Sequence, residues 1–229
     1  MNPFKVIQFA SSRELDAEVE GLLRTFLETP QSLMQWIILS GGKTPMTAYQ
    51  RLAENPPVPV SSVGVTYTDE RHVPVDSPES NYGNTLPMLQ ALGIPGERII
   101  RVQTHLALDK AALAFERDFE RTLDSEGVFP LALIGLGPDG HTCSLFTQED
   151  LDACEGHLAV PVQRPSGPAR VSITPSLLAR VQRVIFLVTG PEKAPMLQQL
   201  LDDPSSVVAG RAVSRCQNVE LWHAEVFNE

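Results

Sequence analysis

The sequence predicts an α/β fold: a mostly parallel sheet flanked by helices on both faces. Three observations carry that reading. Short apolar runs rich in Val and Ile alternate with longer segments of helical period, the pattern of parallel strands joined by crossover helices. Hydrophobic residues make up 42% of the 229 residues, and with the 15 glycines that is the share of a chain with a full core. The 19 prolines are spread through connections, with no internal repeat, low-complexity tract or convincing linker, so a single domain over residues 1–229 is expected.

Taken in order, strands are expected at residues 4–9, 34–39, 63–68, 99–102, 131–136, 158–162 and 184–188, with a weaker last one at 219–222. Helices fit between most of them, at 12–28, 45–54, 82–92, 109–125 and 192–201. Each begins near a polar or proline start signal. In the fourth, Ala112, Phe115, Phe119 and Leu123 fall on one face, as burial against a sheet requires.

Charge and cysteine usage narrow the class. Eighteen Lys and Arg against 28 Asp and Glu leave a net charge of −10, without the basic cluster that a nucleic-acid face needs to displace counterions from phosphates. No stretch approaches the roughly 18 apolar residues of a membrane span. The start, Met1-Asn2-Pro3-Phe4-Lys5, lacks a basic region followed by an apolar run. A cytoplasmic protein without membrane or nucleic-acid partners is expected. Cys143, Cys154 and Cys216 are odd in number and form no C-x-x-C, so reduced thiols are expected rather than a disulfide framework or a zinc site. An anionic substrate would meet a repulsive average field, so its site must be locally basic.

In open parallel sheets ligands bind beyond the carboxyl ends of the strands, which directs attention to four segments. Ser40-Gly41-Gly42-Lys43-Thr44-Pro45 follows the second strand; its glycines leave backbone N–H groups open, and the helix beginning near Pro45 favours an anion. The same residues would also serve as an ordinary turn with Lys43 in solvent. Asp69-Glu70-Arg71 follows the third strand, with Ser80-Asn81-Tyr82 beyond it. This is either a solvated charged tip or, with Asp69 and Arg71 on one side of an extended chain, a pair for a phosphate oxygen and a hydroxyl or proton. Gly135-Leu136-Gly137-Pro138-Asp139-Gly140-His141-Thr142 is literally a G-x-G-x-x-G. Pro138 removes a donor from its turn, however, and no acidic residue ends a strand about twenty residues on, so a dinucleotide site is disfavoured. It does place an imidazole and a carboxylate on one tight turn, suited to proton transfer. Thr189-Gly190-Pro191-Glu192-Lys193 puts a lysine at a helix start, explained either by solvent or by a nearby anion; Arg170 lies upstream.

Those four segments, in that order and running on into Ser144-Leu145-Phe146, resemble the 6-phosphogluconolactonase family over nearly the whole chain. The resemblance implies a Rossmann-like sandwich of the glucosamine-6-phosphate deaminase/ribose-5-phosphate isomerase type. It implies hydrolysis of 6-phospho-D-glucono-1,5-lactone, without cofactor or metal, with His141 as general base and Asp139 and Asp69 in the same pocket. Gly41, Gly42, Lys43, Thr44, Arg71, Arg170 and Lys193 would hold phosphate and sugar, with Asn81 near the sugar. The partner is then a small phosphorylated sugar lactone and the protein a monomer or weak homo-oligomer. Lys43 stands where Ser is commoner, and Thr147 where a Pro often follows.

The chemistry agrees: opening an activated ester needs a base for water, donors for an oxyanion and a proton for the departing ring oxygen. A deaminase-like isomerase would carry a Glu at the position of Phe146 and a Tyr at that of Arg71. A serine esterase would need a G-x-S-x-G, which is absent. A sugar-phosphate sensor would carry a DNA-binding helix pair ahead of the first strand, whereas a strand is expected here from Phe4. A non-catalytic sugar-phosphate-binding homologue stays open.

Overall fold

Successive residues of a strand face opposite sides, and in the central runs of this chain both sides are apolar. Strand β2 (Gln35–Leu39) is buried throughout; Ile37 and Leu39 enter one core and Trp36 and Ile38 the other. Strand β8 (Val184–Thr189) divides in the same way, with Ile185 and Leu187 opposite Phe186 and Val188. Such strands require a sheet covered twice. In the computed structural model, which describes residues 4–226, these two join β1 (Lys5–Phe9), β3 (Val63–Tyr67), β5 (Val128–Gly135) and β9 (Val219–Ala224). The order is β1-β9-β8-β5-β2-β3, and every neighbouring pair is parallel.

Helices α1 (Ser12–Glu28), α2 (Met46–Glu54) and α3 (Asn81–Ala91) cover one face. Ser11 caps α1, its Oγ accepting from the Glu14 N–H at 3.2 Å, and Leu15, Val19, Leu23 and Leu27 recur on the buried side. Each contributes about 1.5–3 kcal/mol by leaving water. Helix α4 (Leu108–Asp124), with the later α7 (Ala194–Asp202) and α8 (Val208–Ala212), packs on the other face; Phe115 and Phe119 anchor α4 there. Two shorter helices, α5 (Gln148–Asp152) and α6 (Pro175–Leu178), complete the set.

Several expectations need correction. Residues 99–102 form no strand: Ile99 makes an isolated bridge to Val65, and the Ile100 N–H donates to the Val65 carbonyl at 2.9 Å before the chain leaves the sheet. The run at 158–162 does not join the parallel sheet. As β6 (Ala159–Val162) it forms, with β4 (Asp69–Arg71) and the unforeseen β7 (Arg170–Ile173), a small antiparallel sheet of order β4-β7-β6. Pro161, exposed, suits its place on an edge strand. The helix expected at 192–201 begins as a 3-10 turn, Pro191–Lys193, ahead of α7. Strand β5 starts before Pro130, not after it. Against β2 its register shifts between the Gln35–Val128 and Ile37–Leu131 pairs, leaving extra chain at a residue that has no N–H to donate.

The hand-over between sheets positions the site. Thr68 donates its N–H to the Leu39 carbonyl at 2.9 Å in the large sheet and accepts from the Ile173 N–H at 2.9 Å in the small one. Asp69 thus begins the second sheet at the carboxyl end of β3. No helix among the described residues is long and apolar enough to cross a membrane. All three cysteines are free thiols.

Candidate active site

The carboxyl ends of β2, β3, β5 and β8 meet around two adjoining lobes of about 330 and 230 Å³, which share Ser40, Gly42, Gly135 and Lys193 in their walls. Lys43, Thr44 and Thr189 belong to the larger lobe, and Asp69, Arg71, Asn81 and His141 to the smaller. The four segments singled out in the sequence therefore converge. Gly41, Asp139 and Arg170 line neither lobe; Asp139 is exposed to solvent beside His141.

The larger lobe gathers two cations, Lys43 and Lys193, with Glu192 also in its wall. No side chain caps α2, so its first turn opens on this space, where Lys43 and Lys193 both reach. Thr44 Oγ1 lies 3.0 Å from Thr189 Oγ1, joining the ends of β2 and β8. Burial pushes the Lys193 ammonium below the ordinary lysine value, with Glu192 opposing the shift. Gly41 is needed for space: a Cβ there would overlap the Asn81 side chain.

In the smaller lobe the histidine turn is built by its glycines. The Gly137 N–H donates to the His141 carbonyl at 2.8 Å, the Gly140 N–H returns to the Gly137 carbonyl at 3.0 Å, and Gly140 takes φ +83°. His141 Nδ1 lies 2.5 Å from Asp139 Oδ1. Burial alone would raise the Asp139 carboxyl, but the hydrogen bond and charge of His141 outweigh it and hold the group below the usual carboxylate range. An ionised carboxylate only accepts, so the Nδ1 proton faces Asp139, and in the neutral imidazole the lone pair is then on Nε2.

Asp69 is 5% exposed, and both its oxygens are engaged. Oδ1 accepts from Thr68 Oγ1 at 2.8 Å and Asn81 Nδ2 at 3.3 Å; Oδ2 accepts from Ser144 Oγ at 2.5 Å and lies 3.6 Å from Arg170 Nη1. It ties β4 to the loop carrying His141. Burial lowers the Arg170 guanidinium, with Asp69 opposing. Arg71 Nη1 donates to the Glu79 carbonyl at 2.7 Å, while the buried Arg71 Nε and Asn81 Oδ1 have no hydrogen-bond partner.

Sequence reasoning passed over Glu70 and Ser144 as functional side chains. Glu70 points away from Asp69 and Arg71, as strand alternation dictates. Its carboxylate accepts from the N–H groups of Arg71, Asn81 and Tyr82 at 2.8, 2.7 and 2.8 Å, fixing the start of α3 and hence Asn81. Burial raises its carboxyl against those bonds. The period of β4 was the available signal for Glu70; none existed for the Ser144–Asp69 bond, which spans 75 residues. Cys143 lines the smaller lobe at φ +53°, with burial pushing its thiol well above the ordinary value, so it stays a neutral packing group.

A family model described as glucosamine-6-phosphate isomerases/6-phosphogluconolactonase matches residues 10–222. The chain belongs to that family. Among relatives, the 6-phosphogluconolactonase of Thermotoga maritima is 35% identical over 183 residues, covering 77% of this chain and 80% of that protein. The solved structure of a Thermotoga maritima 6-phosphogluconolactonase superposes with a TM-score of 0.81 at 28% identity, over 97% of this chain and 99% of that one. A monomeric glucosamine-6-phosphate deaminase shares the fold, with a TM-score of 0.74 at 16% identity over 96% of this chain and 97% of that one. This member of the family is thus an enzyme on the sandwich that the deaminase structure shares.

Proposed function

We propose that the chain, acting as one domain, hydrolyses 6-phospho-D-glucono-1,5-lactone to 6-phospho-D-gluconate, with His141 as general base. One observation supports the mechanism: Asp139 engages His141 Nδ1, which in the neutral imidazole directs the lone pair to Nε2, in a lobe adjoining the one that holds Lys43 and Lys193. The phosphate lies toward Gly42, Lys43, Thr44 and Lys193, and the ring lies toward Asn81 and His141. Nε2 takes a proton from a water that attacks C1. Arg71 supplies positive charge where the oxyanion develops, and the imidazolium returns its proton to the departing ring oxygen. Asp139 and Asp69 hold the machinery in register, and Arg170 pairs with Asp69. The affinity invested in the phosphate places C1 against the base. The test compares decay of freshly made lactone with and without protein, using unphosphorylated glucono-1,5-lactone as control. Decay no faster than the spontaneous rate would end the proposal.

Two expected results arise here. Lys193 is a cation below its pKa and neutral above it, and that pKa is displaced downward from 10.5. Affinity for the inert product 6-phosphogluconate should therefore fall as pH rises, beginning below the pH at which an ordinary lysine titrates. Lys193→Arg should hold its affinity through the same range. Calorimetric titration checks this, and a flat profile for wild type contradicts the anchor role. Secondly, a Cβ on Gly137 would overlap the His141 ring and the Asp139 carboxylate. Gly137→Ala should lower kcat about tenfold to a hundredfold while the thermal midpoint stays near wild type, because a small displacement of the base is costly to rate. An unchanged kcat would show that the turn tolerates the shift.

A further inference from the structure

A hydrogen bond at Nδ1 fixes one point of an imidazole but leaves the ring free to swing about it, so aiming Nε2 requires a second contact. Phe146 makes that contact: its ring centroid lies 4.5 Å from that of His141, tilted by 44°. Its backbone is fastened in turn, since its N–H donates to Asp150 Oδ2 at 2.8 Å at the capped start of α5. The guanidinium carbon of Arg164, on the connection between β6 and β7, sits over the Phe146 ring at 4.3 Å from its centroid, and Arg170 stands farther off at 6.0 Å. Arg164 belongs to the wall of neither lobe, so its charge reaches the site through the aromatic ring rather than by touching a ligand. In a protein of net charge −10, a guanidinium spent on an aromatic face beside the active-site histidine calls for an account.

We propose that Arg164 is a positioning residue, holding Phe146 against His141 and thereby aiming Nε2 at the substrate carbonyl. This rests on the lactonase reading of the site. A flat guanidinium on a ring face resists sideways movement of that ring, and His141 loses the same freedom. The arrangement also gives position 146 a task that the carboxylate of the deaminase pattern would not perform.

The test uses the full chain with Arg164→Ala, Arg164→Lys and Phe146→Leu. Removing the guanidinium should lower kcat about threefold to tenfold, the range set by a cation–π contact, with KM unchanged within about twofold. Arg164→Lys, which keeps a cation over the ring, should recover most of that loss; a merely structural arginine would show no such rescue. Independently of turnover, the ring-proton resonances of His141 should shift in Arg164→Ala in the same direction as in Phe146→Leu. An unchanged kcat, a raised KM at constant kcat, or unmoved His141 resonances would overturn the proposal. Wild-type protein that fails to hasten lactone decay would instead overturn the lactonase reading, and the resonances would still decide the role of Arg164.

Discussion

His141→Ala should reduce the protein-dependent rate of lactone opening by about 10²- to 10⁴-fold, the usual contribution of a positioned general base. This corresponds to about 3–5 kcal/mol of transition-state stabilisation. The loss should fall on kcat, because the imidazole stands in the smaller lobe while the larger one carries Lys43 and the opening of α2. Since the substrate opens by itself, the quantity to measure is the difference between decay with and without protein at several protein concentrations. If His141→Ala and wild type hasten decay equally, the base lies elsewhere. A rise in KM at unchanged kcat would make His141 a binding group instead.

Asp69→Ala should destabilise the protein by about 3–4 kcal/mol. The substitution strands Arg170, whose side chain is 12% exposed, without its carboxylate, and it leaves Ser144 Oγ and Asn81 Nδ2 each short of an acceptor. The lower part of the range expected for a broken buried pair applies, because the ion pair is 3.6 Å long and the hydroxyl bonds share the load. Denaturant unfolding at neutral pH should show a lower midpoint with an unchanged slope. The double variant Asp69→Ala/Arg170→Met should recover part of the loss, since the stranded charge is then gone. A single-variant cost below about 1 kcal/mol would show that water already reaches the carboxylate and that Asp69 is not what ties β4 to the loop carrying His141.

Parts of this protein were legible before any fold was known, because their causes are local. Helix α1 announces itself through Ser11, Ser12 and the recurrence of Leu15, Val19, Leu23 and Leu27, and the structure follows the expected bounds of 12–28. Runs buried on both faces, such as β2 and β8, identified a covered parallel sheet, because a strand with no polar face has nowhere else to go. The His141–Asp139 pair was readable because two residues on one glycine turn cannot avoid each other.

Other features depended on partners that periodicity does not name. The run at 158–162 has the composition of a strand, and nothing in it says which sheet it joins; pairing with β7 settled that. Residues 99–102 have the same composition, yet make little more than one bridge. Arg170 was grouped with the cations that hold phosphate and sugar; its ion pair with Asp69, 101 positions away in the chain, was not foreseen. Arg164 was part of a proline-rich connection with no visible task until the fold laid it on Phe146. Apolar spacing records which side chains leave water, and that determined the elements and the strand ends where chemistry is found. Which distant charge, hydroxyl or ring meets which is decided when the sheet order brings chain ends together, and only the tertiary structure holds that information.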